Sequence, residues 1–419
     1  MKKYLLLIIT LVGTLFLTSC GDDDCETTCP VGQILTIDCE CVTVGGESST
    51  IEVSENIEAD VTWTADKVYT LTGRITVTNG ATLTIEPGTI IKGGAGAEAN
   101  SKALLVARGS KINACGTASQ PIIMTSVADE ISPTMIAAGQ FASPNLEPDV
   151  QGLWGGLIVL GNAPISVEGD ASEVQIEGIP TSDPNGLYGG SDAADNSGSL
   201  CYISIRHGGT NIGEGNEING LTLGGVGSGT TINNIEVVAN RDDGIEWFGG
   251  TVNAENLLVW NCGDDGLDTD QAFNGTVRNW IVAVPQGGSA MELDGPEGSL
   301  TQGCNNFING VIYTGANIDH LIDWDDDTNT GVTELYIYGV DADYDPAVAF
   351  ESFGGDGVCT SGTWQYTLPA GYDVATFFEG APAGAATEVA QNANTVGPDA
   401  SSFGWTWGAQ SGTLSSLGL

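Results

Sequence analysis

Positive charge is what this chain has least of. Eleven Lys and Arg residues face 54 Asp and Glu, there are two His, and no Lys or Arg follows Arg278. A net charge of −43 excludes nucleic acid and anionic lipid as partners, because a polyanion repels both. It also opposes direct contact with an anionic polysaccharide unless metal ions bridge the two. No Ser/His/Asp pattern, phosphate-binding loop or His/Cys metal cluster is present. Long apolar runs are missing beyond the first 20 residues, so no later stretch reads as a bilayer span. No segment sustains a helical period either. Yet 41% of residues are hydrophobic, which excludes a disordered acidic tail.

Glycine is abundant, at 60 residues, and short runs of Val, Ile, Leu and Thr alternate with turn residues, the pattern of an all-β chain. These runs repeat. Gly244-Ile245-Glu246-Trp247 aligns with Gly266-Leu267-Asp268-Thr269, 22 residues later, and Ala290-Met291-Glu292-Leu293 follows after 24 more. Leu321-Ile322-Asp323-Trp324 and Ala349-Phe350-Glu351-Ser352 come after a further 31 and 28. Upstream, Gly220-Leu221-Thr222-Leu223 fits the same frame with Thr222 in the acidic column, and matching second strands lie between the repeats. A period of this length with two or three strands per repeat predicts a parallel β-solenoid, whose coils bury a core only by stacking. Leucine-rich repeats would show a Leu/Asn consensus, and propeller blades need about 40 residues. Neither fits.

The ends have their own signals. "MKKYLLLIITLVGTLFLTSC" has a basic start, an apolar run and small residues, the layout of a secretory signal over residues 1–19. Leu17-Thr18-Ser19-Cys20 resembles a bacterial lipobox, which implies an acylated Cys20; several acyl chains at about 0.8 kcal/mol per CH2 anchor firmly. Asp22-Asp23-Asp24 resembles the acidic tag of Bacteroidetes lipoproteins sent to the outer surface. These likenesses imply an outer-membrane, surface-exposed, lipid-anchored protein. Its expected partners are membrane lipid through Cys20 and an extracellular polysaccharide or cell surface. An acidic exterior stays soluble in salty, calcium-rich water.

Ten cysteines fit an oxidising compartment. Cys25, Cys29, Cys39 and Cys41 in the stem, residues 20–48, predict two disulfides of open connectivity or, alternatively, a zinc site. Cys115, Cys201, Cys262, Cys304 and Cys359 are odd in number, so at least one is expected to be a buried free thiol.

"LTGRITVTNGATLTIEPGTIIKGG", "LLVARGSKINACGTASQPIIMTS", "GLWGGLIVLGNAPI" and "YGGSDAADNSGSLCYISIRHGG" together resemble the opening coils of right-handed parallel β-helix proteins common among Bacteroidetes. This is the pectate-lyase-like superfold, in a family without an established activity. The resemblance implies a right-handed parallel β-helix over residues 49–355, followed by C-terminal coils and a cap over 356–419. Segments 128–150 and 168–198 read as projecting loops. Trp364, Trp405 and Trp407 are expected to cap the open end, where an uncovered edge invites association; the alternative is sugar stacking.

If Ile245, Leu267, Met291, Ile322 and Phe350 stack inward, alternation sends Glu246, Asp268, Glu292, Asp323 and Glu351 outward. Coils lie about 4.8 Å apart, so these five form a ladder of repelling carboxylates that must take up protons, spread into solvent or bind cations. Asp242, Asp243, Asp264 and Asp265 add an acidic corner in the same register. Calcium takes six to eight oxygens in flexible geometry. Asp264, Asp265, Asp268 and Asp270 are one candidate set, and Asp323, Asp325 and Asp327 with Asn329 a second. Gly331 falls one residue late for an EF-hand. Asp341, Asp343 and Asp345 alternate likewise, with Pro346 where that motif wants Gly.

For catalysis the candidates are Asp243, Asp265 and Asp268, in the paired-carboxylate geometry of glycoside hydrolysis, and Arg206 and His207, for a lyase that needs a base. Arg241 and His320 are further candidate bases, but plain hydrogen bonds at coil corners are the favoured reading of His207 and His320, and a salt bridge to Asp242 that of Arg241. The expected function is a surface lipoprotein that recognises glycans or neighbouring cells through an acidic, calcium-binding face. A polysaccharide lyase or glycoside hydrolase is the alternative.

Overall fold

The computed structural model describes residues 33–35, 41–43, 49–96, 100–210, 218–283, 287–301, 303–315, 318–325, 327–352, 359–379 and 385–419. Cys20 and the stem cysteines Cys25, Cys29 and Cys39 lie outside the described residues. The chain divides into two units, Met1–Gly46 and Glu47–Leu419. In the first, Gln33–Leu35 pairs antiparallel with Cys41–Thr43.

The second unit is the expected right-handed parallel β-helix. Short strands, including Leu221–Gly224, Ile245–Phe248, Leu267–Asp270, Met291–Leu293, Ile322–Trp324 and Phe350–Glu351, stack in a nine-stranded parallel sheet. Long strands such as Gly198–Arg206, Thr231–Val238, Ala254–Trp260 and Thr276–Ala283 form the opposite, fifteen-stranded sheet. The repeat is the register: Ile245 pairs with Leu267, and Leu267 with Met291. Leu221, Ile245, Leu267, Met291 and Ile322 are fully buried in one core column, with Phe350 packed partly buried at its end. The glycines that open the repeats are steric. A Cβ on Gly244 would lie 2.4 Å from Val259 Cγ1, and one on Gly266 would lie 2.6 Å from Val282 Cγ1, so the walls close only over glycine.

Each long strand bends at one residue with positive φ: Tyr202, Asn234, Asn256, Asn279, Asn309 and Glu334, at 51–58°. The ladder skips these positions, passing from Cys201–Asn233 to Ile203–Ile235. Four of the six are Asn, which tolerates left-handed backbone better than other side chains. Asn279 Nδ2 donates to Asn256 Oδ1 one coil away, so two of these bends are linked by a side-chain hydrogen bond.

The outward column of the short sheet runs Thr76, Leu105, Ile158, Thr222, Glu246, Asp268, Glu292, Asp323, Glu351. Its chemistry changes at Glu246. The apolar half is covered: Ile165, Val167, Ile176, Ile179 and Tyr188 pack over Leu105, Ile158, Leu160 and Phe248. The projecting segment 168–198 thus carries a small hairpin, Val174–Gln175 with Leu187–Tyr188, and acts as a cover. Segment 128–150 does the same for Val68, Ile90 and Ile123 through Ile131, Ile136 and Phe141.

Cys115 and Cys201 are register partners and form a disulfide, and Cys304 bonds Cys359. Cys262 is the buried free thiol, pushed up to about 12 by burial.

The C-terminal tryptophans depart from expectation. Coils continue through Trp364–Tyr366 and Ala386–Glu388, and Trp364 is a core residue stacked 6.4 Å from Trp324. Phe377 and Phe378 pack on Phe350 at the end of that core column. Trp405 and Trp407 instead turn back along the flank. Trp407 lies 5.8 Å from Trp260 and 5.5 Å from His207, and Trp405 lies 5.5 Å from Tyr202. The reason is that Val238, Leu258, Ile281, Val311 and Tyr336 make the outer face of the long sheet apolar, and the tail buries it. At 4% and 3% exposure, Trp405 and Trp407 offer no platform to a sugar.

Glu236 holds this tail down. Its fully buried carboxylate accepts from Trp407 N at 3.1 Å, Gly408 N at 2.9 Å, Ser204 Oγ at 2.6 Å and Trp260 Nε1 at 3.3 Å. Arg206, equally buried, lies 3.9 Å from Glu236 and 4.9 Å from the Trp407 ring centroid. Removing one member of a buried ion pair strands the other. Glu236→Ala is therefore expected to cost about 3–5 kcal/mol in urea unfolding and to expose residues 399–419 to protease. Glu236→Ala with Arg206→Met should lose less than Glu236→Ala alone; an equal or greater loss refutes the pairing.

Candidate functional site

Where the outward column turns acidic, the cover ends and a cleft of about 610 Å³ opens. Glu177, Asp242, Asp243, Glu246, Asp264, Asp265, Asp268, Gly288, Ser289, Glu292, Asp319, His320 and Asp323 line it. No Trp, Tyr or Phe is among them. Three columns build the site. The coil corner supplies Asp243, Asp265, Ser289 and His320, whose carbonyls bond the next backbone N–H of the neighbouring coil. The strand supplies Glu246, Asp268, Glu292, Asp323 and Glu351. Two residues further along, Phe248 pairs with Asp270 and starts a second acidic column.

The corner carboxylates also tie the coils together. Asp243 Oδ1 accepts from Asp265 N at 3.0 Å, and Asp265 Oδ1 accepts from Ser289 N. Above them, carboxyl groups meet in pairs, Glu246 with Asp268 and Asp265 with Glu292. Asn219 Nδ2 donates to Glu246 Oε2 and, at 3.4 Å, to Glu177 Oε1. Asn219 Oδ1 is buried without a hydrogen-bond partner. An amide turned end for end would present that oxygen to the carboxylates as a neutral ligand.

Three groups among the described residues place ligand atoms within 4.8 Å of one another: Asp243, Glu246 and Asp268; Asp242, Asp243 and Asp264; and His320, Asp323 and Glu351. The first is buried throughout. Burial, then the Asp268 charge, holds Asp243 well above the usual carboxylate range. Burial and Asp243 do the same to Glu246, and burial and Glu246 to Asp268. Asp265 is raised by burial. Glu292 is pushed up to about 8, first by its hydrogen bond with Asp265 and then by burial. Burial and Glu297 push Asp270 up to about 8, and burial and Glu292 push Asp294 up to about 7. Buried like charges at these separations call for protons or for a cation.

The residues expected to act together are distributed differently. Asp264, exposed, joins Asp242 and Asp243; Asp265 pairs with Glu292; Asp268 joins Asp243 and Glu246; Asp270 faces Glu297 and Asp294. Each of the four sits on a different column. Among the described residues, Asp323, Asp325 and Asp327 do not make one metal-spaced group. Ile322–Trp324 is a strand, so Trp324 points into the core, and only Asp323 joins a metal-spaced group.

Arg206 and His207 are absent from the cleft. Both are buried beneath Trp407, and His207 Nδ1 lies 2.5 Å from Val150 O, with burial lowering its pKa. Nothing in the local sequence signals this, because the covering residue comes from the far end of the chain. Sequence reasoning missed Glu177 for the same reason, since a loop outside the repeat carries no spacing signal. His320, a candidate base for which a corner hydrogen bond is the favoured expectation, does bond Val348 O at 2.7 Å and also faces the cleft.

Residues 55–320 match the family described as a pectate-lyase-like beta helix domain. No curated protein and no solved structure matches the chain.

The raised carboxyl groups link stability to pH with a definite sign. In metal-free protein the folded state keeps protons that the unfolded chain releases above the ordinary values of 3.8 and 4.5. Stability is therefore fully present below those values and lost as pH rises toward about 8. With a chelator present, Tm should fall between about pH 5 and about pH 8, and Asp268→Asn with Glu292→Gln should flatten the fall. A parent Tm that is level or rising across this window refutes it.

Proposed function

The chain belongs to the pectate-lyase-like β-helix family, and on that premise we propose that it is a calcium-dependent glycan-binding protein of the cell surface. A β-helix of this family fits a carbohydrate-related role. The observation that carries the calcium reading is the buried trio Asp243, Glu246 and Asp268, its ligand atoms within 4.8 Å on the floor of an open cleft. Asp242 and Asp264 stand beside it, and Asn219, whose Nδ2 donates to Glu246, would offer a neutral oxygen with its amide turned. Calcium accepts six to eight such oxygens and tolerates irregular placement. A cation there would offset the charge that otherwise repels an acidic sugar. The lack of aromatic lining points to recognition by metal and polar contacts rather than by stacking.

Catalysis is the second reading. His320 is the basic side chain lining the cleft, whereas Arg206 and His207 lie buried elsewhere. Binding is therefore preferred over a lyase, while Asp243, Asp265 and Asp268, the carboxylates a hydrolase would use, do line the cleft. The lipobox-like Cys20 supports an outer-membrane anchor for the same protein.

Calorimetry with calcium chloride should show binding that Asp243→Asn/Asp268→Asn weakens by at least about tenfold, in line with loss of ligands. Retention on a uronate-rich polymer should require calcium and fail in the same variant. No calcium binding by the parent removes this reading, and appearance of the unsaturated product's absorbance would establish the lyase instead. For the anchor, Cys20→Ala should move the protein from the membrane pellet to the soluble fraction; continued sedimentation rejects acylation at Cys20.

A further inference from the structure

At the far end of the cleft, the ligand chemistry changes from all-oxygen to mixed nitrogen and oxygen. We propose that His320, Asp323 and Glu351 form a second metal site, selective for a borderline transition ion of the zinc class. It does not depend on the calcium reading, and it concerns different residues.

The imidazole is arranged as metal-binding histidines are. Nδ1 lies 2.7 Å from Val348 O and donates to it, so in the neutral ring Nε2 carries the lone pair. The accepting carbonyl is itself held, since Tyr344 Oη donates to Asp319 O at 2.8 Å and to Val348 O at 3.4 Å. Tyr344 is anchored in turn by Tyr372 Oη, which donates to Tyr344 O at 2.7 Å. A parallel bridge to Ser289 fixes the backbone of His320 in the coil stack.

Nε2 then faces two carboxylates. Its distance to Glu351 Oε2 is 3.5 Å, longer than the roughly 2.7–3.2 Å of an imidazole–carboxylate hydrogen bond. It is close to the edge of a zinc tetrahedron, roughly 3.3 Å for bonds of about 2.0–2.1 Å. Asp323 completes a set whose ligand atoms all fall within 4.8 Å. One nitrogen and two carboxylates would neutralise a divalent ion, and two of the three side chains, His320 and Asp323, line the cleft. Imidazole favours zinc, whereas calcium selects oxygen, so the two ends of the cleft discriminate between ions by donor type.

Calorimetry on the full chain with zinc chloride should show one site, and cobalt chloride should give the visible absorption of a tetrahedral ion. His320→Gln and, independently, the exposed Glu351→Gln should each weaken zinc by about 10- to 100-fold and abolish the cobalt band. Asp243→Asn/Asp268→Asn should leave both unchanged. Thermal melts matching the parent establish that the variants are folded. Zinc binding that survives His320→Gln intact, or none in the parent, overturns the proposal. Loss of calcium binding with zinc retained sinks the calcium reading alone; the converse sinks this one alone.

Discussion

Register is the constraint on which the rest depends. In a parallel stack each residue lies one rung, about 4.8 Å, from its counterpart in the next coil, so any chemistry that repeats is concentrated into a column. For Leu221, Ile245, Leu267 and Met291 this is self-consistent, because apolar neighbours bury one another. The asparagine column is self-consistent too, since each amide offers both donor and acceptor. A column of carboxylates is not, because every member repels the next. The acidic face is therefore a part of the coil stack that stacking alone leaves in conflict, and protons, solvent or cations are the ways such a conflict is relieved.

The outer surfaces show how the fold treats columns that the stack alone does not satisfy. Apolar columns receive cover from elsewhere in the chain: the loop after Leu160 over the short sheet, and the tail around Trp407 over the long one. The tail is fastened by a buried charge pair, Glu236 and Arg206. That pair accounts for Arg206 as structure, not chemistry, and its burial depends on the same Trp407 that encloses His207. The acidic columns begin where the loop cover stops. Glu177, from that loop, sits at the boundary and lines the cleft, so the cover defines one wall of the site.

Which features were readable from the sequence follows from this division. The spacing of Ile245, Leu267, Met291 and Ile322 gave away the coil period, and alternation then placed Glu246 through Glu351 on one outward line. The odd count of scattered cysteines anticipated the buried thiol at Cys262. Contacts between distant segments were not readable. Trp405 and Trp407 looked like an end cap because their sequence distance from Tyr202 and Trp260 conceals their adjacency in space. Asp264 to Asp270 looked like one ligand set because closeness in sequence stands in poorly for closeness in space on a strand, where alternate residues head for different columns.

Alternation also explains why no single motif locates the site. Asp268 has the same outward orientation as Thr222 two coils earlier, and Asp265 the same corner role as His320 two coils later. What differs is the company along the column. Asp243 belongs to two of the three metal-spaced groups because the corner and strand columns converge there, under the edge of the loop. Further along, Ser289 and His320 replace aspartate at the corner, carboxylate density falls, and a nitrogen donor enters. The cleft is thus a gradient laid out coil by coil, hard oxygen ligands at its buried end and a mixed set at its exposed end. A repeat protein makes such a gradient by substitution within one register, with no change of backbone.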